Sequence, residues 1–118
     1  MARITIEQYH ESYDLGKKII EGSMTIDEAV RRLYDMGMSD NSARPYLRSV
    51  RAMLTGERFT ATINENALSY FLTQIYSDYG SDGLRRALHS VKEYLDYQKD
   101  KNGLPGSRLI YEDFLEIL

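Results

Sequence analysis

The chain has 118 residues, 42% of them hydrophobic and 28% charged, with a net charge of −3 and no cysteine. A chain of this length folds as one unit and buries roughly 65% of the surface that its unfolded form exposes, so 1–118 reads as a single helical domain rather than a disordered or two-domain chain. Disulfides and thiolate metal sites are excluded. The opening Met1-Ala2-Arg3-Ile4 lacks a leader's apolar run, and no stretch nears the ~20 apolar residues of a membrane span, so the expected setting is cytoplasmic.

Apolar residues recur at helical spacing almost throughout, and alternation with period two is scarce, which predicts an all-α bundle of about six helices. The first starts at Thr5, with Gln8 three residues on as a capping box, carries Ile6, Tyr9, Tyr13 and Ile20 on one face, and ends at Gly22. The second is capped by Thr25 with Glu28, buries Ile26, Ala29, Val30 and Leu33, and stops at Gly37. The third begins between Asn41 and Arg44, because Pro45 lacks an N–H and is tolerated in the first turn, and it ends near Gly56. An irregular stretch from Glu57 to Ile63 leads to a fourth helix, capped by Asn64, rich in aromatics (Tyr70, Phe71, Tyr76, Tyr79) and closed by Gly80. The fifth is capped by Ser81 or Asp82 and runs to about Lys99. Asn102-Gly103-Leu104-Pro105-Gly106 reads as a linker, and a last helix from Ser107 offers Leu109, Phe114, Leu115 and Leu118 for docking.

The third helix carries the most informative pattern. Arg44, Arg48 and Arg51 stand at i, i+4 and i+7 and so share one face, with Arg58 beyond them, while Tyr46, Leu47, Val50, Met53 and Leu54 occupy the other. A guanidinium is a planar donor fork suited to phosphate and carboxylate, and a row of them suits a helix lying along a nucleic-acid backbone. The overall negative charge argues against a phosphate partner, but it is unevenly spread: Arg31 to Arg58 holds six arginines against Asp35, Asp40 and Glu57, and an acidic tail follows at Glu112, Asp113 and Glu116.

The span from Thr25 to Leu54 has the layout of a helix-turn-helix, helix then tight turn then helix. In that geometry Asn41, Ser42 and Arg44 lie nearest base edges, and Arg48, Arg51 and Arg58 meet phosphates. A faint repeat returns Tyr34, Gly37, Ser39, Asp40, Leu47, Ser49 and Val50 about 42 residues later as Tyr76, Gly80, Ser81, Asp82, Leu88, Ser90 and Val91. The second copy carries its own ridge, Arg85, His89 and Lys92, at the same spacing.

Most of the ten tyrosines fall at core spacing, with Tyr9, Tyr13, Tyr34, Tyr46 and Tyr70 on apolar faces, whereas Tyr94 and Tyr97 flank a polar side and suit an exposed role. His10, Glu11 and Asp14 lie within one turn but lack a further ligand, and His89 has no partner nearby, so no metal or other cofactor is expected. No phosphate loop, nucleophile elbow or HExxH motif occurs, and the expectation is a protein that is not an enzyme.

The stretch Asn41-Ser42-Ala43, Tyr46, Arg51-Ala52-Met53-Leu54, Gly56, Thr62, Asn64, Ala67, Tyr70-Phe71-Leu72, Ile75, Asp78-Tyr79-Gly80, Gly83-Leu84, Ala87-Leu88 and Val91 resembles the helical module ahead of the nuclease domain in some bacterial HNH endonucleases, including McrA-type restriction enzymes. Ile110-Tyr111-Glu112 and Phe114-Leu115 fit the ending of that module. The resemblance implies an accessory domain of a DNA-targeting or defence system, acting in DNA contact, positioning or self-association. It implies no nuclease activity here, since the paired histidines and asparagine of an HNH site are missing.

Two functions lead on these residues, ahead of a third, a small-molecule binder or lone enzyme with a pocket lined by the tyrosines. One is a non-catalytic module binding nucleic acid, duplex DNA first of all, through Arg44, Arg48, Arg51 and Arg58 with Asn41, Ser42, Arg85, His89 and Lys92 assisting. The other is a protein-interaction or homo-oligomerisation module, or a free-standing inhibitor or regulator of a nuclease or defence system, since Arg and Tyr also dominate interface hot spots.

Overall fold

The computed structural model describes residues 3–98 and 104–118, and every regular element in them is a helix. In chain order these are α1 (Ile6–Glu21), α2 (Ile26–Asp35), α3 (Asp40–Thr55), α4 (Glu65–Gln98) and α5 (Pro105–Leu115). Five helices stand where six are expected because 65–98 is one element. Gly80 breaks it from within, at φ 70° and ψ −160°, a backbone region that essentially only glycine occupies without strain. The stop expected at Gly80 is thus a break in one helix rather than the end of one.

The first two helices start where their caps dictate. Gln8 N–H donates to Thr5 Oγ1 at 3.1 Å and Thr5 N–H donates back to Gln8 Oε1 at 2.9 Å, and Thr25 and Glu28 repeat the exchange at 3.1 Å in both directions. Each reciprocal pair satisfies two donors that the helix itself leaves over, at a gain of about 1 kcal/mol. The Thr25 backbone and hydroxyl bonds hold the Glu28 carboxyl below its ordinary value.

α3 departs from expectation at its start. It begins at Asp40, so Pro45 stands inside the helix, beyond the first turn where a missing N–H is free of consequence. The Asn41 carbonyl accordingly loses its normal donor, and it does so on an exposed residue, where the loss costs least.

Packing makes α3 the central element, with α1, α2 and α4 all against it. Tyr46, Leu47, Val50 and Met53 are buried among Leu15, Leu33, Phe71, Leu72 and Leu88. Each fully buried side chain of this size contributes about 1.5–3 kcal/mol, and the row of them fixes which way α3 is turned. The crossing with α1 is close enough to require glycine: a Cβ on Gly16 would fall 2.4 Å from Val50 Cγ1.

Several apolar residues expected in the core are outside it. Ile6 and Ile20 are exposed, while Tyr9 and Tyr13 are buried as expected, together with Gln8, Ser12, Leu15 and Gly16; Tyr34 is 64% exposed, whereas Tyr94 is fully buried. Leu109, Leu115 and Leu118 do not dock, and α5 packs on α4 through half-buried Ile110, Tyr111 and Phe114. Of the expected linker, Asn102 and Gly103 lie outside the described residues, as does Lys99, while Pro105 and Gly106 form the first turn of α5. With three helices covering α3, the stripe through Arg48 and Arg51 is the side that faces solvent.

Candidate nucleic-acid interface

α3 ends at Gly56, whose positive φ of 83° turns the chain sharply as Gly56 and Glu57 N–H both donate to the Ala52 carbonyl. The following loop, 57–63, is irregular but anchored. Phe59 is buried with its ring stacked on Tyr94, centroids 4.2 Å apart, and Ile63 is buried as well. Ser90 Oγ donates to the Glu57 carbonyl and Gln98 Nε2 donates to the Thr60 carbonyl at 2.8 Å. At the far end Asn64 N–H donates to the Tyr46 hydroxyl, and Asn64 Oδ1 caps α4 by accepting from Ala67 N–H at 2.7 Å.

Between this loop and α3 lies a concavity of about 330 Å³, lined by Arg48, Arg51, Glu57 and Arg58 with Pro45, Ala52, Phe59, Thr60 and Ala61 among its walls. Arg48, Arg51 and Arg58 are exposed, and among the described residues no carboxylate lies within ion-pair distance of any of them. Arg58 sits 5.2 Å from the centre of the Tyr97 ring, a contact that orients the cation without neutralising it. The helix row and the residue beyond it, separate in sequence, thus meet around one hollow because the Gly56 turn folds the loop back along α3.

The other expected site residues are placed differently. Arg44 is half-buried and its Nη2 lies 2.9 Å from Asp27 Oδ1 on α2, so its charge is already matched. Asn41 is exposed, and the Ser42 hydroxyl accepts from Ser39 at 3.4 Å; neither residue lines the concavity. On α4, Arg85 pairs with Asp82 at 3.2 Å, His89 lies 3.7 Å from the Glu93 carboxylate, and Lys92 pairs with Asp96 at 3.2 Å. The second ridge is therefore a row of basic side chains each facing its own carboxylate. Tyr94, expected to be exposed, is instead the buried partner of Phe59.

A second polar cluster joins α1 to α4. Tyr13 Oη donates to Asp78 Oδ2 at 2.8 Å and Lys17 Nζ lies 3.0 Å from the same oxygen. Burial first, and the Asp78 bond second, push the Tyr13 hydroxyl up from its ordinary range. The bond to Asp78 holds Lys17 above its usual value against the effect of burial, and the Lys17 and Tyr13 bonds hold Asp78 below its own. Every member is satisfied by another, which is the pattern of a structural tie between helices. His10 stacks on Tyr70 at 3.8 Å, and no group of three metal-ligating side chains occurs among the described residues.

None of the described helices is long and apolar enough to cross a membrane. Compared with family models, curated proteins and solved structures, the chain matches none of them.

Proposed function

We propose that this chain is a non-catalytic nucleic-acid-binding module that contacts phosphates through Arg48, Arg51 and Arg58. The observation that carries the reading is the contrast in charge compensation: these three guanidinium groups have no carboxylate partner among the described residues and line one hollow, while Arg44, Arg85, His89 and Lys92 each face one. Three arginines without ion pairs, opposed in their hollow by Glu57 alone, retain a local positive field on a protein of net charge −3, and that field favours phosphate within a Debye length, about 8 Å at physiological salt. The likeness of 41–91 to the helical module ahead of HNH nuclease domains agrees with DNA as the nucleic acid and with a role in a DNA-targeting or defence system.

Three phosphate contacts give a slope of log affinity against log salt of about −3 on duplex DNA, with micromolar or weaker binding for the isolated module. The test is filter retention of duplex DNA across a salt series by the wild type and by a triple variant with Arg48, Arg51 and Arg58 each changed to Glu. Loss of retention in the variant, with its helical content intact, is the expected result. Equal retention and equal salt dependence would remove the proposal.

A protein-interaction module is the second reading, and its support comes from the other end of the chain, where Leu109, Leu115, Ile117 and Leu118 are all exposed. Light scattering separates the two: a salt-resistant assembly indifferent to DNA supports this reading, and a monomer shifted by DNA supports the first.

A further inference from the structure

The loop over the arginine hollow is held in a particular orientation. Ser90 and Gln98 bind the carbonyls of Glu57 and Thr60, so both of these oxygens are turned toward α4. The described chain has no cis peptide, and in a trans peptide the N–H points opposite to the C=O of the same plane. The N–H groups that share those two planes belong to Arg58 and Ala61, and they therefore point away from α4. Neither N–H has a hydrogen-bond partner among the described residues, and both residues line the hollow. Side-chain bonds from one helix have thus turned two backbone donors outward beside three guanidinium groups that have no ion-pair partner among the described residues.

We infer that this hollow seats a single phosphomonoester, its oxygens taken by the Arg58 and Ala61 N–H groups and its charge by Arg48, Arg51 and Arg58. At about 330 Å³ the hollow is at the small end of ligand pockets, so a strand end enters it with one phosphate and its sugar, and the three arginines then converge on that terminal group in place of three separate backbone phosphates. Three arginines against Glu57 leave a surplus of two positive charges, which matches a phosphomonoester dianion better than the single charge of a backbone diester. The apolar wall of Pro45, Ala52, Phe59 and Ala61 gives the sugar a surface to rest on. The phosphate has two sources: the end of a nucleic-acid strand, in which case the inference rests on the proposed function, or a free phosphate compound.

The experiment compares binding of duplexes that are identical except for a 5′-phosphate or a 5′-hydroxyl, and follows the backbone amides of the wild-type protein by NMR as inorganic phosphate is added. A preference of about tenfold for the phosphorylated end, erased by Arg48→Ala/Arg51→Ala, together with downfield shifts of the Arg58 and Ala61 amides, is the expected result. Glu57→Gln, which removes the one like charge, should tighten the phosphorylated duplex about threefold. Equal binding of both duplexes with unmoved amides overturns the phosphate seat and leaves the nucleic-acid reading standing. Shifted amides with no binding of either duplex assign the seat to a free phosphate compound and overturn the nucleic-acid reading. Silence in both measurements overturns both.

Discussion

Two rows of basic residues in this protein share one spacing and differ in the carboxylates that surround them. Arg85, His89 and Lys92 stand on α4 at i, i+4 and i+7, and each has a carboxylate three or four residues away on its own helix: Asp82, Glu93 and Asp96. Arg48 and Arg51, on α3 at the same register, have none, and the turn at Gly56 brings Arg58 alongside them. Exposed pairs of the first kind contribute only about 0.3–0.5 kcal/mol each to the helix, yet they cancel the field that would attract phosphate. Spacing decides which cations share a face. The carboxylates around them decide whether that face is charged.

The largest expected effect separates the rows directly. Arg48→Ala/Arg51→Ala should weaken DNA binding about tenfold at moderate salt and flatten the salt slope by about 2, because two phosphate contacts are lost. Arg85→Ala/Lys92→Ala should leave both quantities within error. Gel-shift titrations of the two double variants against one duplex at several salt concentrations measure this, and equal losses from the two rows would abolish the distinction. A smaller effect sharpens it. Asp82→Asn/Asp96→Asn releases Arg85 and Lys92, and the freed ridge should raise affinity about threefold with a steeper salt slope. An unchanged slope would show that the ridge on α4 is turned away from the bound duplex.

How far the sequence foretold this depends on the range of each interaction. The caps at Thr5, Thr25 and Asn64 and the turns at Gly22 and Gly56 involve residues within four or five positions of each other, and they appear where expected. The neutralisation of the α4 ridge was equally local, since Asp82, Glu93 and Asp96 lie one helical turn from their partners. Counting cations without counting those carboxylates made the ridge look like a site. The burial of Tyr94 was not readable, because α4 meets the 57–63 loop through contacts such as Phe59 on Tyr94 that span 35 positions. Pro45 shows the same limit in another form: local rules put it in the first turn, but packing of Ala43, Tyr46 and Leu47 in the core carries α3 back to Asp40. The hollow itself required both the loop and its anchors at Ser90 and Gln98, which no local pattern connects to Arg48.

Arg44 is the member of the α3 row that long-range contact has changed, and it gives the finest test of the comparison. It shares a face with Arg48 by spacing, but Asp27, seventeen positions earlier, holds it at 2.9 Å. Asp27→Asn should lower stability by less than about 1 kcal/mol, since the Asp27 side chain is 80% exposed and water takes over most of what the pair supplies. The same change should raise duplex affinity about twofold and steepen the salt slope by about 0.9, the increment for one further phosphate. If stability falls as expected and the slope does not move, Arg44 lies beyond the reach of the bound backbone, and the interface stops at Arg48.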